Sequence, residues 1–180
     1  MHRLSIIERR ALALMALAAL VGCAGDQALE SQADVERLRM RITKVRYAIN
    51  ETRNVIAQSR GAPYHDELFM RLAELQAEEA QYHYMVAQSR ENSEGAVHAP
   101  QVRFLKEEAI NIYERILREN PNTALGDRIL FNIAHEHREL GNFEDMISTL
   151  QRLLDNERYR NSRYRNEALL VLGDYYYDRN

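Results

Sequence analysis

The sequence predicts an all-α protein, and three observations lead to that prediction. Glycine and proline, which interrupt helices, contribute only 7 and 3 of the 180 residues. Ala, Leu, Arg, Glu and Gln are frequent after residue 30, and all of them favour helices. Apolar residues recur three and four positions apart, as they do along one face of a helix. A single cysteine excludes an internal disulfide, so that residue must have another role.

The first 22 residues have the pattern of an export signal. Arg3, Arg9 and Arg10 precede an unbroken apolar run over residues 11–21. A run of that length suits the hydrophobic region of a signal peptide and is too short to cross a bilayer. We therefore predict a signal peptide at residues 1–22.

The apolar run ends in Leu-Val-Gly-Cys at residues 20–23, which resembles the lipobox of bacterial lipoproteins. The resemblance implies that the thiol of Cys23 receives a diacylglyceryl group, and residues 23–33 then form a lipidated tether. In Gram-negative bacteria an aspartate directly after the cysteine retains a lipoprotein in the inner membrane. Ala24 stands there, which implies the periplasmic face of the outer membrane. An ordinary signal peptide, or a short buried helix with an incidental cysteine, is the alternative.

Residues 34–90 are predicted to form a long helical hairpin. A heptad pattern over residues 35–56 gives the first helix an apolar seam, and the a positions are Val35, Ile42, Ile49 and Ile56. Gly61 suits a left-handed helix end, and a second helix is predicted from residue 66 to about residue 90. The seam either packs on that second helix, which we favour, or forms a coiled coil with another copy or with a partner. Residues 91–100 are polar and rich in helix breakers, which predicts a loop.

Residues 101–180 contain similar segments nearly forty residues apart; Ala134 and Gly173, for example, are 39 positions apart. The fullest unit contains Leu130, Ile133, Ala134, Leu140, Gly141, Phe143, Met146, Leu150 and Leu153. This pattern resembles the tetratricopeptide repeat (TPR), a helix-turn-helix unit that stacks into a solenoid. Gly141 is predicted to form the turn between the two helices. Because a third first-helix pattern runs up to Asn180, we expect the chain to be truncated there and the repeats to continue.

The sequence contains no recognised catalytic motif, so we expect a protein that is not an enzyme and that has no cofactor. His135 and His137 are two residues apart and point to different sides of a helix, so a shared metal ion is not expected. Residues 158–165 alternate arginine with tyrosine. Because the chain carries a net charge of -3 and an export signal, nucleic acid is not expected, and we favour a solvated connector over a site for an acidic partner.

The lipobox, the hairpin and the repeats together resemble the outer-membrane TPR lipoproteins of envelope assembly, Tol-Pal and gliding-motility complexes. That resemblance implies a periplasm-facing scaffold or adaptor that binds envelope proteins or peptides. In the repeat register the partner-binding positions are Arg128, Phe131, His135, Arg138, Glu139, Glu167, Leu170, Asp174, Tyr177 and Asp178. Two alternatives stay open. One is a structural lipoprotein that self-associates as a homo-oligomer through the seam, and the other is the N-terminal part of a longer envelope enzyme.

Overall fold

The computed structural model describes residues 6–59, 61–89, 96 and 99–179, with side chains from residue 32 onward. Six α-helices have described bounds: α1 (Ile6–Gln58), α2 (His65–Gln88), α3 (Pro100–Glu119), α4 (Gly126–Glu139), α5 (Phe143–Asp155) and α6 (Tyr164–Tyr177). A short 3-10 helix, Glu157–Tyr159, lies between α5 and α6. No strand occurs in this part of the chain, so the all-α prediction is confirmed.

Several predictions concern residues outside the described part. The lipid attachment at Cys23 is one, because no side chain is described there, and most of the loop predicted at residues 91–100 is another. Pro100, which we assigned to that loop, is instead the first residue of α3. Proline fits there because the first N–H groups of a helix need no partner within it. None of the helices in the described part combines the length and the apolarity that crossing a bilayer requires.

The first three helices pack side by side, with α2 in the middle. Arg46 of α1 pairs with Glu79 of α2, whereas Asn120 at the end of α3 donates to Asp66 at the start of α2. In the heptad seam, Ile42, Val45 and Ile49 are each less than a tenth exposed. Val45 and Ile49 belong to the cluster formed with α2 and α3. The centre of the seam is therefore covered within the chain, which leaves little of it for a second copy.

Two glycines supply the left-handed backbone that the helix ends require. Gly61 has a φ of +78° and Gly141 a φ of +76°, which confirms the left-handed end predicted for Gly61. After α4, the Gly141 N–H donates to the Arg138 carbonyl and the Asn142 N–H donates to the His137 carbonyl. This pair of bonds is a Schellman motif, in which a left-handed residue lets the chain turn back at once. The turn predicted at Gly141 is confirmed, and α5 returns along α4.

The helices α4, α5 and α6 surround a second apolar cluster, which lies beside the first. Ala134 of α4 is 2% exposed and allows α5 to approach closely, with Leu150 and Leu153 fully buried against it. Tyr159, in the segment between α5 and α6, is also buried in this cluster.

The prediction of a solvated connector over residues 158–165 therefore holds for Arg158, Arg160 and Arg163, which are exposed, and is wrong for Tyr159. A β-carbon on Gly126 would overlap the hydroxyl of Tyr159, so the ring packs directly on the start of α4. Arg158 donates to the carbonyls of Pro121 and Asn122, and Ser162 donates to Asp127. These bonds join the connector to the turn before α4, and only its outer side chains face solvent.

Candidate functional site

Three of the predicted partner-binding residues lie together in one cleft. Arg138 of α4 faces Asp174 and Asp178 of α6 across an opening of about 400 Å³. The remaining lining residues are Phe143, Met146, Val171, Tyr175 and Arg179. Two cations, two carboxylates and two aromatic rings therefore surround an apolar floor. A surface of this composition suits a protein or peptide ligand that carries both charge and an apolar side chain.

The aromatic wall of this cleft is fixed by contacts between α5 and α6. The guanidinium of Arg179 lies 4.3 Å from the ring centre of Tyr175 and 4.9 Å from that of Phe143. The two rings are themselves in contact, with centres 5.4 Å apart. Cation–π contacts of this kind hold a flexible arginine in place. The wall consequently presents a preformed surface.

A second, smaller cleft continues from the first. Phe131, His135 and Arg138 line it together with Val171, which borders both clefts. Phe131 is half-buried, and its ring stacks on Tyr164 at the start of α6, with centres 5.3 Å apart. Phe131 therefore helps to hold α6 on α4 besides lining the surface. Arg138, which is exposed, borders both clefts as Val171 does.

The other predicted partner-binding residues do not join these clefts. Arg128 forms an ion pair with Glu74 of α2, and Glu139 accepts a hydrogen bond from Lys106 of α3. Both side chains thus have partners within the chain. Glu167, Leu170 and Tyr177 lie on an open surface of α6, where Leu170 is 64% and Tyr177 is 84% exposed. The predicted residues therefore lie in three environments: some line the two clefts, two form ion pairs within the chain, and three lie on an open face of α6.

A buried ion pair between α3 and α4 lies next to the predicted residues, and sequence analysis missed it. Lys106 is 4% exposed, and its ammonium donates over 2.7 Å to Glu136, which is 6% exposed. The same ammonium also contacts Glu139. Lys106 follows Val102 and precedes Ala109 on the apolar face of α3. A lysine on an apolar helix face indicates a buried ion pair, because a buried cation needs a partner, and this was the signal in the sequence.

This pair and its neighbours shift one another's pKa. Burial alone lowers the pKa of Lys106, but the charges and hydrogen bonds of Glu136 and Glu139 outweigh it and raise that pKa. Burial alone raises the pKa of Glu136, but the nearby His135, whose Nδ1 lies 3.6 Å from a Glu136 oxygen, and the charge of Lys106 outweigh it and lower that pKa. The close Glu136 carboxylate in turn raises the pKa of His135. The network therefore favours the charged forms.

The same network contains the donor atoms of a potential metal site. One ligand atom each from His135, Glu136 and Glu139 lie within 4.8 Å of one another. Lys106 already supplies positive charge to both carboxylates, so a metal ion would compete with the ammonium for them. His137 lies elsewhere, with its Nδ1 4.0 Å from Asp145, so the two histidines do not converge.

The geometry thus defines a helical protein with a preformed, mixed-charge cleft between α4 and α6. No model of a known protein family, no curated protein and no solved structure matches this chain.

Proposed function

We propose that this chain is a lipoprotein, anchored through Cys23 at the periplasmic face of the outer membrane, and that it acts as a TPR-like adaptor for other envelope proteins. Residues 34–90 would form its N-terminal hairpin and residues 101–180 its repeats. The partner would bind across α4 and α6. Neither catalysis nor a cofactor is part of this function.

The relation between α4 and α6 is the observation that supports this function best. Both helices pack against α5, and both line the two adjoining clefts, α4 through Arg138 and α6 through Val171. His135 and Asp174 are corresponding residues, 39 positions apart, and each lines one of the two clefts. Successive first helices of a solenoid present corresponding residues to one surface in this way, so a ligand can contact both. The tight turn at Gly141 and the small buried residue Ala134 support the repeat.

The anchor is supported by the sequence at residues 11–23, and it has a direct test. Wild-type protein expressed in a Gram-negative host should incorporate radioactive palmitate, because the acylated Cys23 becomes the first residue of the mature chain. Cys23→Ser should remove the label and leave the precursor uncleaved. Equal labelling of the two proteins would contradict the anchor without affecting the adaptor function.

The adaptor function is tested on the exposed part of the surface. A photoreactive amino acid placed at Tyr177 should crosslink to one or a few envelope proteins in intact cells, since interface energy is concentrated at aromatic and arginine side chains. Combining Arg138→Ala with Asp174→Ala should abolish those crosslinks and leave the helical circular dichroism unchanged, because both side chains are exposed.

The matched control places the photoreactive group at Tyr47, a tyrosine on α1 that is 68% exposed, and combines Glu51→Ala with Arg118→Ala. This control pair should leave the crosslinks from Tyr177 intact. If Tyr47 yields the same products as Tyr177, or if the α4 and α6 substitutions change nothing, the surface of α4 and α6 does not recognise the partner.

A further inference from the structure

A cleft on the other part of the molecule has the features of a separate binding site. It lies between α1 and α3, is floored by α2, and has a volume of about 320 Å³. Each wall is one stripe of a helix with the same spacing. The α1 wall consists of Arg46, Ile49, Asn50 and Arg53, and the α3 wall consists of Gln101, Phe104, Leu105 and Glu108. The floor contains Gln76 and Glu79. Matching stripes on two helices produce an elongated cleft.

The floor carries a buried polar atom without a partner. Gln76 is 2% exposed, and its Oε1 accepts no hydrogen bond from any described residue. Leaving such an atom unpaired is costly, and folded proteins rarely do so. The adjacent Glu79, by contrast, is well bonded, because Arg46 donates to it over 2.6 Å. Because the Gln76 side chain lines the cleft, a rotation of its amide would bring this acceptor to a donor of a ligand.

The walls add groups that suit a polypeptide. Asn50 and Gln101 are exposed amides on opposite walls, and amide side chains both donate and accept, as a peptide backbone does. Phe104 is 55% exposed at the edge of the cleft, beside the buried Leu105. An exposed phenylalanine beside a buried leucine gives a ligand's apolar side chain a place to pack.

Charge in the cleft also favours a polypeptide over a simple ion. Arg53 on the α1 wall and Glu108 on the α3 wall have no ion pair or hydrogen bond with another described residue. Because the two free charges are opposite, the cleft has no excess of one sign that would select a phosphate or an anionic lipid. A neutral chain of alternating N–H and C=O groups matches it better.

The cleft is distinct from the surface proposed for the envelope partner. Glu74 of α2 faces α4, where it pairs with Arg128. Gln76 is two residues further along, which rotates its side chain by about 200° around the helix. The cleft therefore opens away from α4 and α6.

We propose that this cleft between α1 and α3 binds a short extended peptide segment of a partner protein. A backbone N–H of the segment donates to Gln76 Oε1, and an apolar side chain of the segment packs on Phe104. Asn50 and Gln101 bond to the backbone on either side. The volume accommodates roughly two or three residues, at the lower end for ligand sites, so the affinity is modest.

The test uses a library of random linear dodecapeptides displayed on phage and panned against the purified full-length chain. Enriched peptides are then synthesised with a fluorescent label and titrated by anisotropy. Gln76→Leu should weaken their binding about tenfold or more and at the same time raise the melting temperature, because leucine removes the unpaired polar atom. A purely structural role for Gln76 would not combine these two changes.

Phe104→Ala provides the second variant and Tyr47→Ala its matched control, because both rings are more than half exposed on their helices. Phe104→Ala should weaken peptide binding about tenfold without changing the melting temperature, and Tyr47→Ala should change neither. The proposed site is refuted if no peptide is enriched, or if the enriched peptides bind Gln76→Leu and Phe104→Ala as they bind the wild type. Loss of binding through Arg138→Ala and Asp174→Ala instead would assign the peptides to the surface of α4 and α6 and would equally refute it.

Discussion

Leu130 on α4 and Leu169 on α6 occupy corresponding positions, 39 residues apart, but their side chains are 4% and 54% exposed. The difference extends along the helix. Ala134 is 2% exposed, whereas the corresponding Gly173 is exposed. The two helices have similar apolar patterns and different environments.

The following helix accounts for this difference. Over α4, the next helix α5 contributes Met146, Leu150 and Leu153, which are all at most 1% exposed. No described helix covers the corresponding face of α6. This helix contacts α4 and α5 through its opposite face. A recurring sequence pattern therefore specifies which face of a helix is apolar, but only a neighbouring helix makes the burial of that face possible.

The largest expected effect comes from the ion pair that holds α4 to α3. Lys106→Met should lower the free energy of unfolding by about 3–5 kcal/mol, because it leaves the buried Glu136 without its cation. Urea unfolding followed by circular dichroism measures the change. Arg103→Met is the control on the same helix, since Arg103 pairs with Glu107 where both side chains are half exposed. That substitution should cost about 1 kcal/mol or less. Similar losses at the two positions would show that the Lys106 pair is not buried in solution.

The second prediction tests the contrast between α4 and α6 directly. Leu130→Ala should cost about 2–5 kcal/mol, as expected for a buried leucine. Leu169→Ala should change the free energy of unfolding by about 0.5 kcal/mol or less, because its side chain is already mostly in water. The same urea experiment applies to both. A large loss from Leu169→Ala would mean that another surface covers α6 in solution.

The third prediction concerns pH. Because the pKa of Glu136 is lower in the folded chain than its ordinary value of 4.5, the unfolded chain binds the proton more readily. Its contribution to stability is therefore complete above pH 4.5 and is lost as pH falls through the lower folded pKa. Stability measured from pH 6 to about pH 3 should decline less steeply in Glu136→Gln than in the wild type. Parallel curves would show that Glu136 is not held in its charged form.

Much of the helical framework was predictable because it follows from local pattern. The left-handed ends at Gly61 and Gly141 follow from residue type, and the burial of Leu130 and Ala134 follows from spacing along one helix. These features depend on a few neighbouring residues. They can therefore be predicted from local sequence, without knowing how distant parts of the chain pack.

The features that sequence analysis missed depend on how distant elements meet. Lys106 and Glu136 are 30 positions apart, and their contact depends on the rotation of α3 relative to α4. Arg128 pairs with Glu74 for the same reason, across 54 positions. Tyr159 was misassigned to solvent because a connector has no periodicity that separates its one buried ring from the polar residues around it.

The last prediction concerns a single pair of small residues at corresponding positions of α4 and α6, where a small gain in stability is expected. In α4 this residue is Ala134, which is buried against α5. In α6 it is Gly173, and apart from its chain neighbours and the backbone of its own helix no atom lies within 4 Å of where a β-carbon would be. Gly173→Ala should raise the free energy of unfolding by about 0.5–1 kcal/mol, since alanine restricts the unfolded chain and favours the helix. Ala134→Gly should cost at least that amount, because it also leaves a gap in a packed interface. Differential scanning calorimetry of both variants measures whether each substitution raises or lowers the stability. If Gly173→Ala is destabilising instead, a closely packed partner lies over α6 in solution, and the α6 face would then be as well covered as that of α4.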